Sequence, residues 1–250
     1  MNLVSIVGAG PGDLKLMTLK AIEAVKEAEV LLWTDSLIPP EITKIAPENC
    51  ELIKTSSLIL EEISEILIKK AKQGKKVVRL HDGDPCLYGA ISEQICGLAE
   101  AGINVEVVPG ISAYQATSSA LKKELTIPSL VQTIVLTRTP GRTGMPNKES
   151  LEKVASLQAT LCLYLSARHV DEAQETLLKY YSPETPVAIG YRVSWKDEWL
   201  DIVDLKDLAS VSKKQRLIRT TIYIVSPALK ATNERSKLYQ PVHKHLFRQK

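Results

Sequence analysis

The residues best suited to chemistry lie in one short stretch, His-Asp-Gly-Asp-Pro-Cys-Leu-Tyr-Gly at residues 81–89. It follows an apolar run and precedes a helical pattern that begins near Ala90, so it lies where a strand ends and a helix starts. Its two acids, two glycines and proline form a tight turn whose backbone lets a ligand approach closely. The alternative is a plain connection in which Asp84 caps the helix and Pro85 takes its first position.

Four other loops of the first half also follow predicted strands, at residues 8–13, 34–36, 54–56 and 109–113. The carboxyl ends of parallel strands meet at one edge of a sheet, so these loops together predict a ligand crevice there. The glycine-rich loop at 8–13 departs from the dinucleotide fingerprint, because its third glycine follows the second by two residues rather than three. The sequence shows no Ser/His/Asp triad order, nucleophile elbow, Walker loop or H-E-x-x-H motif.

The elements that must position these loops alternate between strand and helix patterns. Strands are predicted at residues 3–7, 30–33, 51–54, 77–80 and 105–108, and helices at 16–28, 60–73 and 90–101. This alternation predicts an α/β fold with a mostly parallel sheet.

The second half is more mixed. Strands are predicted at 133–136, 161–165, 187–191, 200–203 and 221–225, and helices at 148–155 and 170–180. Two of the strands bracket residues 195–198 as an antiparallel pair. We expect a first domain at residues 1–112, a second at 113–230 and a basic tail at 231–250.

Composition narrows the class of protein. A chain of 250 residues with 24% charged and 44% hydrophobic residues is typical of a soluble globular protein. No apolar run reaches the ~18 residues of a membrane span and no export signal is visible, so we expect a cytoplasmic protein. The net charge of +3 is too small to indicate nucleic-acid binding. The four cysteines lack C-x-x-C spacing, and we expect neither disulfides nor a metal site.

Three motifs of the first half together resemble the tetrapyrrole methylase family. They are Gly-Ala-Gly-Pro-Gly-Asp at 8–13, Gly-Asp-Pro-x-x-Tyr-Gly at 83–89 and Val-Pro-Gly-Ile-Ser at 108–112. The second half is similar to the branch of this family that methylates carbon 11 of precorrin-4 or its cobalt form. Its motifs are Leu-Thr-Arg at 136–138, Leu-Tyr-Leu-Ser at 163–166, Tyr-Arg-Val-Ser-Trp at 191–195 and Arg-Thr-Thr at 219–221.

The resemblance implies two α/β domains that bind S-adenosylmethionine in the cleft between them, in a homodimer. The cofactor-binding residues that it implies are Asp82, Gly83, Asp84, Leu87, Ser112, Ala113, Leu165, Thr220 and Thr221. Pro11 and Tyr88 are expected on the tetrapyrrole side. Arginine binds carboxylates through a planar fork, so Arg138, Arg142 and Arg192 are the candidates to contact a polycarboxylate substrate, and we expect two of the three to do so. Asp35 and Lys54 are implied to handle protons as catalytic residues.

The implied reaction needs little covalent chemistry from the protein. A sulfonium methyl group is already activated, so its transfer to a ring carbon requires in-line placement and the exclusion of water. Other acceptors stay open: another precorrin, uroporphyrinogen III, or ribosomal RNA. The RNA alternative is weakened because basic residues do not form a stripe interleaved with aromatic residues. A nicotinamide oxidoreductase and a non-catalytic binder of S-adenosylmethionine are further alternatives, and the glycine spacing disfavours the oxidoreductase.

Overall fold

The computed structural model describes residues 2–141 and 144–230, which form two compact units. The first unit comprises residues 2–116 together with 192–197. The second comprises the described residues of 117–191 and 198–230. The sequence prediction, with its boundary after residue 112, assigns residues 192–197 to the second domain instead. The predicted tail at 231–250 lies outside the described residues.

The first unit is built on a five-stranded parallel sheet. Its strands are β1 (Leu3–Gly8), β2 (Val30–Trp33), β3 (Glu51–Lys54), β4 (Val77–His81) and β5 (Asn104–Val108), in the order β3-β2-β4-β1-β5. The helices are α1 (Leu19–Lys26), α2 (Leu60–Lys72) and α3 (Ile91–Glu100), and α4 (Ala113–Ala120) begins in this unit. The parallel α/β architecture predicted from the sequence is confirmed.

The core of this unit lies on both faces of the sheet, because consecutive strand residues point to opposite sides. Leu31 and Leu80 pack on the face covered by α1. Leu32 and Val77 pack on the other face, against α2 and α3. Burying each such side chain is worth about 1.5–3 kcal/mol. The strands are thereby held firmly, and the loops at their carboxyl ends start from fixed positions.

The second unit contains a mixed sheet of five strands. They are β6 (Ile134–Arg138), β7 (Thr160–Tyr164), β8 (Pro186–Tyr191), β9 (Trp199–Asp204) and β10 (Thr221–Val225), in the order β6-β7-β10-β8-β9. Only β6 and β7 run parallel, and the predicted antiparallel pair is β8 and β9. The helices α5 (Leu151–Ala155), α6 (Val170–Leu177) and α7 (Leu208–Lys214) cover one face of this sheet with apolar side chains.

Two local predictions were wrong. A single helix over residues 16–28 was expected, but a short 3-10 turn at Leu14–Leu16 precedes α1, whose first turn is capped by the Thr18 hydroxyl accepting the N–H of Ala21. The plain connection with Asp84 as helix cap is also wrong, since α3 begins only at Ile91. Helix α7 was not predicted. Within residues 2–141 and 144–230, none of the helices has the length and apolar character to cross a lipid bilayer.

Candidate active site

Backbone hydrogen bonds join the glycine-rich loop after β1 to the loop after β4. The N–H of Ala9 donates to the carbonyl of His81 at 2.7 Å. Gly10 and Gly83 then exchange both of their backbone bonds, at 3.2 and 2.8 Å. The two motifs that the sequence placed 73 residues apart (10 to 83) therefore form one continuous backbone surface.

Glycine is required where these loops meet the loop after β5. A Cβ atom on Gly110 would lie 2.1 Å from the carbonyl oxygen of Gly83, and one on Gly8 would lie 2.7 Å from the Gly110 backbone. Both distances are far inside van der Waals contact and involve backbone atoms, which cannot swing away. The three loops pack backbone against backbone at this edge of the sheet. We call residues 8–13, 81–89 and 108–113 the three-loop cluster.

Asp84 ties the cluster together with its side chain. One carboxylate oxygen accepts the N–H of Gly110 at 2.9 Å, and the other accepts the N–H of Cys86 at 2.9 Å. Hydrogen bonds to a carboxylate are roughly twice as strong as those between neutral groups. Asp84 therefore fixes both its own turn and the neighbouring loop, which is a stronger constraint than a helix cap.

The turn after Asp84 has an unusual backbone. Tyr88 and Ala90 adopt left-handed conformations, with φ of 60° and 49°, which cost energy for residues other than glycine. Gly89 is packed so tightly that a Cβ there would lie 2.2 Å from the carbonyl oxygen of Pro85. Strain of this kind is concentrated at binding and catalytic sites. The Tyr88 side chain is 43% exposed.

Three ionisable side chains lie on β4 or directly after it: Arg79, His81 and Asp82. Burial lowers the pKa of Arg79 to about 10, and the nearby Asp82 charge opposes that shift. Burial, with the Arg79 charge, lowers the pKa of His81 to about 3, so this imidazole stays neutral. Desolvation raises the pKa of the Asp82 carboxyl, while its own backbone N–H and Arg79 oppose the rise. Asp82 remains accessible to solvent and is thus placed to accept hydrogen bonds from a ligand.

Ser112 and Ala113 follow β5 at the start of α4. The Ser112 N–H donates to the side-chain carbonyl of Gln115 at 2.9 Å, and its own carbonyl accepts the N–H groups of Gln115 and Ala116. Ser112 is buried and Ala113 half-buried. Leu87, whose N–H donates to the carbonyl of Asp84, is also half-buried. The first-unit residues predicted to bind the cofactor all belong to the three-loop cluster.

Asp35 lies shortly after β2, and Lys54 is the last residue of the neighbouring strand β3. Asp35 accepts both the N–H and the hydroxyl of Ser56, at 3.0 and 2.9 Å. Desolvation acts to raise the pKa of the Asp35 carboxyl, but these two bonds and the Lys54 charge outweigh it and hold the pKa below its usual value. Lys54 is exposed. Asp35 is thus a stabilised carboxylate that joins two strand-end loops.

Residues 192–197 belong to the first unit and pack on its glycine-rich loop. The indole N–H of Trp195 donates to the carbonyl of Pro11 at 3.0 Å, and the Ser194 hydroxyl accepts the N–H of Asp13 at 2.9 Å. The Arg192 guanidinium lies 3.9 Å from the Trp195 ring centroid and 2.6 Å from a carboxylate oxygen of Asp197. We call residues 192–197 the strap.

Comparisons with known proteins agree with this geometry. Residues 3–209 match the family model described as Tetrapyrrole (Corrin/Porphyrin) Methylases. The chain belongs to the tetrapyrrole methylase family. The resemblance drawn from the motifs is confirmed, and the wholly parallel first sheet and mixed second sheet are those of this methylase fold.

Individual relatives of this tetrapyrrole methylase match it over nearly its whole length. A cobalt-precorrin-4 C(11)-methyltransferase from Methanocaldococcus jannaschii is 42% identical, covering 98% of this chain and 95% of the relative. A precorrin-4 C(11)-methyltransferase from Pseudomonas aeruginosa is 39% identical, covering 98% of each.

Solved structures of two methyltransferases also match this methylase over most of its length. A cobalt precorrin-4 methyltransferase, described as a cobalamin biosynthetic enzyme, superposes with a TM-score of 0.89 at 35% identity, covering 92% of this methylase and 97% of that chain. A uroporphyrin-III C-methyl transferase from Thermus thermophilus, complexed with S-adenyl homocysteine, has a TM-score of 0.76 at 28% identity, covering 91% and 98%.

Two of the three predicted cofactor residues of the second unit also have strained backbones. Leu165 directly follows β7 with φ of 53°, an uncommon angle for a residue other than glycine, and is 68% exposed. Thr220 directly precedes β10, also with φ of 53°, and both Thr220 and Thr221 are half-buried. Costly backbone angles of this kind are concentrated at binding and catalytic sites.

The three arginines predicted to bind substrate differ in their surroundings. Arg138 donates to the backbone carbonyls of Thr139, Pro140 and Gly144, at 3.1, 3.0 and 2.5 Å, so much of its guanidinium holds its own loop. Arg192 is paired within the strap and half-buried. Arg142 lies outside the described residues.

Sequence reasoning missed the contributions of Gly110, Ser194 and Trp195. The available signal was the Tyr-Arg-Val-Ser-Trp motif at 191–195, but nothing local connects its tryptophan to Pro11. Among residues 2–141 and 144–230, no cluster of three or more His, Cys, Asp or Glu side chains is arranged to hold a metal ion.

Proposed function

We propose that this methylase transfers the methyl group of S-adenosylmethionine to carbon 11 of precorrin-4 or cobalt-precorrin-4. The observation that supports this is the match, over nearly the whole chain, to proteins named for that reaction. The three-loop cluster fits the proposal, since it consists of closely packed, hydrogen-bonded backbone rather than a nucleophile. Methyl transfer from a sulfonium needs positioning more than covalent catalysis.

The cofactor is proposed to bind at the three-loop cluster through Asp82, Gly83, Asp84, Leu87, Ser112 and Ala113, with Leu165, Thr220 and Thr221 as further contacts. The Asp82 carboxylate fits this role because it is accessible to solvent, although desolvation raises its pKa. It would accept hydrogen bonds from hydroxyl or ammonium groups of the ligand. When bound, S-adenosylmethionine supplies the activated methyl group, and the protein excludes water and orients the acceptor.

The tetrapyrrole is proposed to lie against Pro11 and Tyr88, with its carboxylates met by Arg138, Arg142 or Arg192. Asp35 and Lys54 are proposed to handle the proton that the ring system releases after methyl transfer. The two bonds from Ser56 stabilise the charged Asp35 carboxylate and make it a weak base. It would therefore accept a proton only from a strongly acidic group of the substrate. Lys54, which is exposed, offers a positive charge beside it.

The test is an anaerobic incubation of the protein with S-adenosylmethionine, labelled at the methyl carbon, and precorrin-4 with and without cobalt. Mass spectrometry and carbon NMR read the product. One new methyl at carbon 11 supports the proposal, and the ring form that reacts identifies the natural acceptor. Methylation of uroporphyrinogen III instead, with neither form of precorrin-4 reacting, would overturn the proposed acceptor.

A homodimer, which the family resemblance implies, and a cytoplasmic location complete the proposal. Sedimentation velocity on the purified protein tests for the dimer, whose molecular mass would be twice the 27.6 kDa of one chain. Nucleic acid is not proposed as a partner, because the net charge is only +3.

A further inference from the structure

The strap holds the glycine-rich loop at three consecutive residues. Trp195 donates to the carbonyl of Pro11, and Ser194 accepts the N–H of Asp13. Between them, the indole lies directly on Gly12, where a Cβ would come 2.3 Å from the Trp195 ring carbon Cδ1. Because Gly12 has no side chain, the Trp195 indole can lie against its backbone.

The same indole carries a charged group on its face. The Arg192 guanidinium carbon lies 3.9 Å from the ring centroid, within the range of a cation–π contact. Asp197 fixes the guanidinium from a second direction at 2.6 Å. A guanidinium has five N–H donors, so the bond from Nη1 to Asp197 leaves others available for a further acceptor.

The backbone of the strap is held in a costly form. Arg192 and Ser194 both have positive φ, at 44° and 66°, and a turn closes between the Trp195 N–H and the Arg192 carbonyl at 2.9 Å. Positive φ is unfavourable for residues other than glycine and persists only where surrounding contacts compensate. Here those contacts are the ones that the strap makes with the glycine-rich loop.

We propose that Trp195 is a positioning residue for the acidic tetrapyrrole. Through its N–H it fixes the Pro11 loop, and through its ring face it orients the Arg192 guanidinium toward a substrate carboxylate. Asp197 is the second positioning residue of this device. The inference rests on the proposed function for the identity of the acceptor, and it assigns to the strap a role in acceptor binding that is separate from the binding of S-adenosylmethionine.

The first experiment compares wild type, Trp195→Phe and Trp195→Ala. The phenylalanine keeps a ring under Arg192 but cannot donate to Pro11, whereas alanine removes both contacts. We expect KM for precorrin-4 to rise about tenfold in Trp195→Ala and less in Trp195→Phe, with kcat changed by less than about threefold. The dissociation constant of S-adenosylhomocysteine, measured by calorimetry, should stay unchanged in both. Lys196→Ala is the matched control, because the Lys196 side chain belongs to the same strap and is 88% exposed.

The second experiment tests the pairing of residues 12 and 195. Gly12→Ala should weaken acceptor binding in the wild-type background, because its methyl group collides with the indole. In the Trp195→Ala background the same change should cost little more, so the two effects are not additive. Additive effects would show that the indole does not act through the glycine-rich loop, and would overturn the proposal.

The outcomes separate this inference from the proposed function. Equal acceptor KM in wild type and Trp195→Ala, or a parallel loss of S-adenosylhomocysteine binding, would overturn the positioning role. If wild type methylates uroporphyrinogen III and not precorrin-4, the proposed acceptor is wrong, and the same comparison on uroporphyrinogen III still decides the role of Trp195. A wild-type protein that neither binds nor methylates a tetrapyrrole would overturn both.

Discussion

Asp84 accepts the backbone N–H of Gly110 at 2.9 Å and so links the loop after β4 to the loop after β5. The two residues are 26 positions apart in sequence and follow strands that are separated in the sheet by β1. Gly83 and Gly8 also pack against Gly110. Together with these contacts, the bond sets the spacing of the backbone groups at which we propose that S-adenosylmethionine binds.

Replacing Asp84 by alanine tests that link. The Gly110 N–H would lose its acceptor, and a buried unpaired donor costs about 1–3 kcal/mol. We expect the affinity for S-adenosylhomocysteine to fall about tenfold, with a smaller loss in Asp84→Asn, which keeps one oxygen acceptor. Calorimetry measures the affinity and urea unfolding the stability. Asp171→Asn, which removes only an exposed ion pair with Lys213, serves as the control and should change neither.

How far the sequence predicts this site depends on the range of each interaction. The five parallel strands are predicted because short apolar runs bounded by turn residues are local signals. The bond between Trp195 and Pro11 spans 184 positions, and no local pattern encodes it. Arg138 shows the opposite difficulty: its residue type predicts carboxylate binding, whereas its nearest acceptors are carbonyls of its own loop. Residue type indicates what a group can bind, and only the fold decides what it meets.

Gly110→Ala tests the backbone packing of the cluster. Its methyl group would lie 2.1 Å from the Gly83 carbonyl oxygen, so the loops must separate. We expect a loss of at least about 2 kcal/mol in the free energy of unfolding, together with loss of S-adenosylhomocysteine binding. Gly97→Ala is the matched control, since nothing lies within 4 Å of a Cβ there and the residue is inside α3. It should stabilise the protein by about 0.5–1 kcal/mol. Equal stability of the two variants would contradict the packing described.

Ser56→Ala tests whether Asp35 takes up a proton. Its hydroxyl donates to the Asp35 carboxylate and helps to keep the pKa of that group low. Removing the donor destabilises the charged form, so the pKa of Asp35 rises. If Asp35 is the acceptor, the acidic limb of the pH–rate profile for kcat moves to higher pH in Ser56→Ala, and Asp35→Asn loses turnover at every pH. An unmoved limb with intact activity in Asp35→Asn would restrict this residue to holding the two loops.

His81 makes the stability of the fold depend on pH in a predictable direction. Its Nε2 is buried without a hydrogen-bond partner among the described residues, and burial beside Arg79 lowers its pKa from 6.5 to about 3. Between these two values the unfolded chain binds a proton that the folded protein does not, so stability is retained above about pH 6.5 and falls as the pH drops toward 3. The slope for one such group reaches about 1.4 kcal/mol per pH unit.

His81→Asn should remove this dependence. Urea unfolding of both proteins at pH 7.5, 6.0 and 5.0 gives the difference between them, in which the contributions of all other groups cancel to first order. We expect wild type to lose stability relative to His81→Asn at each step below pH 6.5, and the difference to be constant above it. A difference that stays constant across the whole range would mean that His81 binds its proton equally well in the folded protein and in the unfolded chain, and the lowered pKa inferred for this imidazole would be wrong.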